Sequence, residues 1–357
     1  MQAIVEQFQT QVRGATAAKT PLRIRGGGTK DWYGNAPVGA VLDTRAHSGV
    51  VAYEPTELVV TARCGTPLAE IEALLAQRQQ MLAFEPPRYG AGSTIGGVVA
   101  SALSGPRRAS AGALRDFMLG AVLMDGRGEV LRFGGQVMKN VAGYDVSRLL
   151  AGSLGTLGLI MEVSLKVLPL PVREASLRFE MGEIEALAKL NDWAGQPLPI
   201  SASCWHRGVL SLRLSGAGAA VEAAQRKLGG AALPEAEAFW SSLRDQRHGF
   251  FDCASLWRLS LPPQASAMVL SGEQLIEWGG AQRWLAADAD AGRAAQIRAN
   301  AAAAGGHATL FRAADKSVGA FHPMAPAVAR VNQLLCREFD PAGIFNPGRM
   351  YLAETLS

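Results

Sequence analysis

The chain has 357 residues, 48% of them hydrophobic, and a formal net charge of +4. That length allows two domains with sizeable cores. The basic residues are scattered, tight only at Arg107-Arg108, and form no stripe with interleaved aromatics, which excludes a nucleic-acid partner from the leading readings. The N-terminus shows neither a basic n-region nor a small-residue cleavage site. Ile4, Val5, Phe8 and Val12 fall on one helical face, and Gly14 is placed to end that helix. A short strand from Pro21 then runs into Arg25-Gly-Gly-Gly-Thr-Lys30. Three consecutive glycines let several N–H groups turn inward as an anion nest, and Arg25 and Lys30 flank it with positive charge. Neither a Walker A loop nor Gly-x-Gly-x-x-Gly occurs anywhere in the chain.

Val38 to Asp43, Val50 to Glu54 and Leu58 to Arg63 read as strands, and Thr66-Pro67 as the N-cap and first position of a helix. Met81 to Phe84 reads as a short strand leading to Pro86-Pro87. The stretch that follows, Gly90 to Gly105, is nearly free of bulky side chains: Thr94, Ile95, Gly96, Gly97, Ser101, Ser104 and Gly105 dominate it. Burial free energy scales with apolar area, so such a stretch is poor core material. Small residues instead let backbone approach something flat and phosphate-bearing. Gly112 and Asp116 come next, then a hairpin turning at Asp125-Gly126. Asp145 to Leu150 is a short helix, and Gly152, Gly155 and Gly158 give a second close backbone approach before the strand Glu162 to Leu168.

After Pro171 strand-like and helical pieces alternate, as in an α+β unit with helices on one face of an antiparallel sheet. Trp278-Gly-Gly-Ala reads as a hairpin. Five tryptophans between 205 and 284 point to a packed core or a subunit interface. Val328, Val331, Leu335 and Phe339 form one stripe of a last helix, followed by Asp340-Pro-Ala-Gly-Ile-Phe-Asn-Pro-Gly-Arg349. The apolar stretch Leu149 to Leu170 is interrupted by glycines, Glu162 and Lys166, so no transmembrane span is expected. The four cysteines form no Cys-x-x-Cys, so neither a cluster nor a zinc ribbon held by this chain alone is expected, and cytoplasmic disulfides are not.

Arg25 to Thr29, Thr94 to Gly97, Gly152 to Ile160 and Asp340 to Gly348 together resemble flavoproteins of the vanillyl-alcohol-oxidase type. The resemblance implies an α+β fold: a two-subdomain PCMH-type FAD-binding domain over residues 1–171, a smaller α+β cap domain over 172–323, and a C-terminal segment, 324–357, returning to the flavin. It implies that Gly26, Gly27, Gly28 and Thr29 hold the FAD diphosphate. Thr94 to Gly97, with Ser101 and Gly105, then line the flavin and ribityl chain. Gly112, Asp116, Gly155, Gly158 and Ile160 meet the adenine side or pack beneath the ring, and Asn346 lies near it. Members that bind FAD covalently through this loop carry His where this chain has Thr29, so noncovalent FAD is expected.

Met138 to Leu149, Ser104 to Arg108, Gly306 to Arg312 and Phe339 to Met350 are similar, more narrowly, to FAD-binding subunits of bacterial glycolate oxidase complexes. That resemblance implies a larger flavin subunit and an iron–sulfur subunit as partners, with glycolate oxidised to glyoxylate. With neither an n-region nor a membrane span, a cytoplasmic chain is expected, peripheral to the inner membrane through such partners. Two other readings stay open: a self-sufficient FAD oxidoreductase of a small 2-hydroxy acid or alcohol, and a non-catalytic scaffold with a retained flavin fold.

Oxidising a 2-hydroxy acid needs a cation for the carboxylate and a base for the hydroxyl. His307, Arg312 and His322 are the candidates, although on a regular strand positions 307 and 312 face opposite ways. No metal site is expected, because His206, His248, His307 and His322 stand singly in sequence, and His47 falls in a predicted surface loop. Tyr144 and Asp145 are weaker candidates. Arg107-Arg108 reads as a phosphate or partner contact, or as a solvated pair.

Overall fold

The computed structural model describes residues 2–135 and 145–351. The Met138–Tyr144 part of the narrower motif, Tyr144 included, and the last six residues lie outside the described residues. Helix α1 (Gln2–Ala18) runs through Gly14, because the stripe Phe8, Val12 and Ala15 is buried on both sides of it. Strands β1 (Leu22–Arg25) and β2 (Ala40–Asp43) pair in parallel. β3 (Val50–Glu54) and β4 (Val59–Arg63) form a hairpin that leads to α2 (Leu68–Ala76). Pro67, not Thr66, occupies the cap of α2. The Thr66 hydroxyl donates instead to the Arg63 carbonyl at 2.7 Å.

β5 (Gln80–Met81) is followed by α3 (Ile95–Ser101) and by two single turns, α4 (Arg108–Ala111) and α5 (Leu114–Phe117). The strand expected over 81–84 shrinks to β5. Then come β6 (Met118–Met124), β7 (Val130–Gly134), a 3-10 turn (Val146–Leu150), β8 (Leu159–Lys166) and β9 (Leu168–Pro169). Five strands make an antiparallel sheet in the order β3-β4-β8-β6-β7. β6 is wholly apolar, and β8 is interrupted only at Glu162, Ser164 and Lys166, because the sheet is covered on both faces. One face packs on α2 and α3 through Ile71, Leu75, Ile95 and Val99. The other packs on α1 and on Ile344 and Phe345.

The second unit is one eight-stranded sheet. Its strands are β10 (Arg173–Glu180), β11 (Ile200–His206), β12 (Val209–Gly216), β13 (Ala231–Ala232), β14 (Leu256–Ser260), β15 (Glu273–Glu277), β16 (Gln282–Ala286) and β17 (His307–Arg312). The order is β13-β10-β12-β11-β15-β16-β14-β17, antiparallel throughout. Side chains alternate between the two faces of such a sheet. Its outer face, with Leu177, Leu212 and Leu310, is covered by α6 (Glu183–Ala194), α7 (Gly218–Leu228) and α9 (Ala291–Ala303). Its inner face carries Cys204, Leu275, Trp284 and Phe311, and packs on α8 (Ala236–Arg244) and on Tyr33 and Leu103 of the first unit. Trp240, Trp257 and Trp284 are buried in these layers, so the tryptophan-rich stretch is largely core.

Helix α10 (Pro326–Phe339) buries only Phe339, while Val328, Val331 and Leu334 stay more than half exposed. The expected inward stripe therefore holds only at the C-terminal end of the helix. Two further readings are corrected. His47 is buried against the Phe8 ring, with both ring nitrogens unpaired, not on a surface loop. Arg107 is buried between Glu85 and Glu174, and Arg108 lies 4.5 Å over the Trp278 ring, so neither is a solvated cation.

Candidate functional site

The two glycine segments meet each other. A side-chain carbon on Gly27 would collide with the Gly92 carbonyl, and one on Gly26 with the Thr94 hydroxyl. Gly28 has φ +71, open to glycine at little cost. The absence of side chains therefore first lets the Arg25–Lys30 loop and the Gly90–Gly97 stretch interlock. Thr94 caps α3, accepting from the Gly97 N–H at 3.4 Å.

A cavity runs along this seam. Gly26, Gly27, Gly28, Thr29, Lys30, Thr94, Gly97, Ser101, Asn346 and Arg349 line it. Gly155 adjoins it: a side-chain carbon there would lie only 2.7 Å from Asn346 Nδ2. Other expected residues do not line it. Ile95 and Ile160 point into the apolar core, Gly96 backs onto Cys64, and Gly158 packs against the Met124 carbonyl. Gly105 faces the second unit, where its carbonyl accepts from Trp278 Nε1 at 3.1 Å. Gly112, with φ +106, and Asp116 close their own turn, Asp116 accepting from the Ala113 N–H at 2.9 Å.

The two flanking cations differ. The Arg25 guanidinium is held by Asp31 at 2.9 Å, and Arg23 pairs with the same carboxylate. Among the described residues Lys30 Nζ hydrogen-bonds the Ser93 hydroxyl alone, at 3.2 Å, and lies over the Tyr89 ring. It forms no ion pair among the described residues, and burial lowers its pKa to about 8. A half-buried ammonium with no acid partner among the described residues, beside three glycines, is matched to an anionic group. Ser101 is already committed, donating to the Gly97 carbonyl at 2.8 Å.

Asn346 and Arg349 hold the site's far wall. Asn346 Oδ1 accepts from the Ile24 N–H at 2.9 Å, and its Nδ2 donates to the Leu154 carbonyl at 2.7 Å. Buried Arg349 donates to the carbonyls of Asn35, Lys30 and Asp31. Lys316, from the second unit, grips the next carbonyls, Trp32 at 2.7 Å and Gly34 at 3.2 Å. Asp31, Arg349 and Lys316 were not singled out from sequence. Only Arg349 had a signal there, as the last residue of the Asn-Pro-Gly-Arg run.

His307 and His322 come together, their rings 6.5 Å apart, and His322 Nδ1 accepts from the Ala308 N–H at 3.4 Å. The strand also carries the irregularity that parity alone did not reveal. Leu256 faces Arg312 and Trp257 faces Leu310, so Phe311 is an extra residue and Arg312 returns to the face of His307. The two still lie at opposite ends of β17, and the Arg312 guanidinium is engaged by the Phe251 carbonyl. Asp145 is on the outside, paired with Arg148 at 2.9 Å. His206 and His248, separate in sequence, stack edge-on at 5.3 Å.

The comparisons with known proteins fit this seam. An FAD binding domain family matches residues 3–134. The glycolate oxidase subunit GlcE of Escherichia coli is 50% identical over 98% of this chain and 97% of its own length. This chain belongs to the GlcE family. FAD is its cofactor, and it is an FAD-dependent oxidoreductase. The glycolate oxidase subunit GlcD of Bacillus subtilis is 31% identical over 48% of this chain and 37% of its own length. Among solved structures, an alkyldihydroxyacetonephosphate synthase superposes with a TM-score of 0.65 at 16% identity, covering 96% of this chain and 74% of that one, which shows the shared fold. Among the described residues of this GlcE-family chain, no helix is long and apolar enough to cross a membrane.

Proposed function

We propose that this chain is the FAD-carrying subunit of a complex that oxidises glycolate to glyoxylate, with electrons leaving through an iron–sulfur partner beside a larger flavin subunit. The full-length identity to a subunit named for glycolate oxidase carries this reading. The Gly26–Thr29 loop offers N–H groups to the diphosphate, and Lys30 adds a charge that no carboxylate among the described residues holds, whereas Arg25 is tied to Asp31. Thr94, Gly97 and Ser101 form the opposite wall, and Asn346 with Gly155 closes the end. Gly105, Gly112, Asp116, Gly158 and Ile160 do not line the cavity, and in this reading they shape the chain behind it. Thr29 has no nucleophilic ring nitrogen, so the cofactor is held without a covalent bond. Bound FAD supplies the acceptor for the hydride of the substrate carbon. The protein positions it and excludes water.

The test is the visible spectrum of the purified chain before and after acid precipitation. Flavin released to the supernatant is the expected result. Flavin that stays with the pellet rejects the noncovalent assignment, and a chain that stays colourless after FAD is supplied rejects the cofactor role. Adding glycolate anaerobically to the reconstituted complex should bleach its flavin, and a complex that leaves glycolate untouched rejects the substrate.

A further inference from the structure

Helix α10 turns its apolar stripe to solvent. At 3.6 residues per turn, Ala327, Val328, Val331 and Leu334 share one side of it, and the last three are 56, 65 and 58% exposed. Surface helices ordinarily turn such a stripe toward the core. Here the fold uses the other side, where Leu335, Cys336 and Phe339 pack on the core of the first unit. The Cys336 thiol there donates to Asn332 Oδ1 at 3.3 Å. Exposed Arg330 and Arg337 border the stripe along one edge, about two turns apart, and neither forms an ion pair among the described residues. The stripe itself carries no aromatic residue.

We propose that α10 docks one amphipathic helix of a partner subunit, a helix whose apolar stripe is bordered by Asp or Glu. Positions 327, 331 and 334 have the four-then-three spacing of a helix–helix seam, and the two arginines stand where flanking charges select a partner. A second copy of α10 is a poor match. Laid antiparallel, it would set the arginine edges of the two copies face to face, and laid parallel it would leave each guanidinium against Val328 and Leu335. A lipid surface is a poor match as well. The stripe lacks the aromatic residues of interfacial helices, and exposed Glu338 continues its line, where it would enter the acyl boundary. α10 also leads directly into the 340–349 run beside the glycine seam. The Asp340 N–H donates to the Cys336 carbonyl at 2.7 Å, and Asp340 Oδ2 accepts from the Phe345 N–H at 2.7 Å. A partner seated on α10 therefore rests on the element that carries Asn346 and Arg349 to the seam. That the partner belongs to an oxidase complex rests on the function proposed above, but the exposed stripe and its arginine edge do not.

The test mixes the full-length chain, loaded with FAD, with the larger flavin subunit and the iron–sulfur subunit of the same organism. Assembly is followed by light scattering on gel filtration and by amide exchange. The wild-type chain should join them, and amides of residues 327–338 should gain protection. Val331→Asp combined with Leu334→Asp should weaken assembly at least about 10-fold. Arg330→Glu combined with Arg337→Glu should weaken it and change its salt dependence. Flavin content and circular dichroism should stay unchanged in both. If the aspartate variant does not fold, the arginine variant carries the test alone. A complex that forms equally well with the folded variants overturns the proposal and leaves the complex standing. No complex with wild type overturns the proposal and the assembly reading together. Three other results overturn it by naming another occupant. One is a wild-type chain that dimerises alone and loses the dimer in the aspartate variant. Another is binding to phosphatidylcholine–phosphatidylglycerol vesicles that the same variant abolishes. The third is a chain shortened to residue 351 whose α10 amides exchange faster, which assigns the stripe to its own C-terminal segment.

Discussion

Half-buried Lys30 and buried Glu277 have pKa values shifted in opposite directions by the same cause, loss of water around the charge. For Lys30 the lowered pKa, about 8, means that a diphosphate beside it restores the proton. FAD binding then takes up a proton above that pH, so affinity should fall as pH rises past about 8. Lys30→Met should weaken FAD binding about 10-fold and flatten that slope, read by fluorescence titration of the apo chain. A slope unchanged in the variant would remove Lys30 from the cofactor site. Glu277 works the other way. Its carboxyl is protonated in the folded chain and ionised in the unfolded one between about pH 4.5 and 7, so stability falls as pH rises through that window. Glu277→Gln should cancel this loss, worth about 3 kcal/mol at most, in urea unfolding at pH 5 and 8.

At the scale of elements, β1 and the loop after it are held from outside their own stretch of chain. Leu22 donates to the Ile344 carbonyl at 2.7 Å, Asn346 and Arg349 end on backbone of residues 24–35 or 154, and Lys316 bonds the Trp32 and Gly34 carbonyls beside that of Phe311. The C-terminal run thus acts as a strap over the glycine loop. Arg349→Met removes one cation from three carbonyls. It should lower stability by about 3 kcal/mol and release flavin on gel filtration. A variant that unfolds earlier yet keeps its flavin would limit the strap to a stabilising role. The motif at 340–349 was legible from sequence, but its partners were not, because no local pattern names a strand more than 300 residues away.

Across the whole molecule, the two units are joined by buried charge. Glu85 of the first unit pairs with Arg213 of the sheet at 2.8 Å and with Arg107 at 3.5 Å, and Arg107 also pairs with Glu174. Removing one partner of a buried network strands the others, at a cost of about 3–5 kcal/mol. Glu85→Ala should therefore shift the urea midpoint of the whole chain down in a single transition. Two separated transitions would show instead that the units unfold independently.

What the sequence determined by itself was the local backbone chemistry. Runs such as Arg25-Gly-Gly-Gly-Thr29 and Thr94-Ile-Gly-Gly97 carry their meaning in consecutive residues, because glycine acts on its own φ and on the space beside its own Cα. The hairpins at Asp125-Gly126 and Trp278-Gly279 were legible for the same reason. Tertiary structure decided which side chains meet. Ser104, Gln246, Arg258 and Glu277 come from two loops and two strands, and they face one cavity only because sheet register and the packing of the two units put them there. The extra residue at Phe311, which turns Arg312 to the face of His307, is likewise a property of pairing between strands. Convergence of distant side chains depends on register and burial, and neither is written in any short stretch of residues.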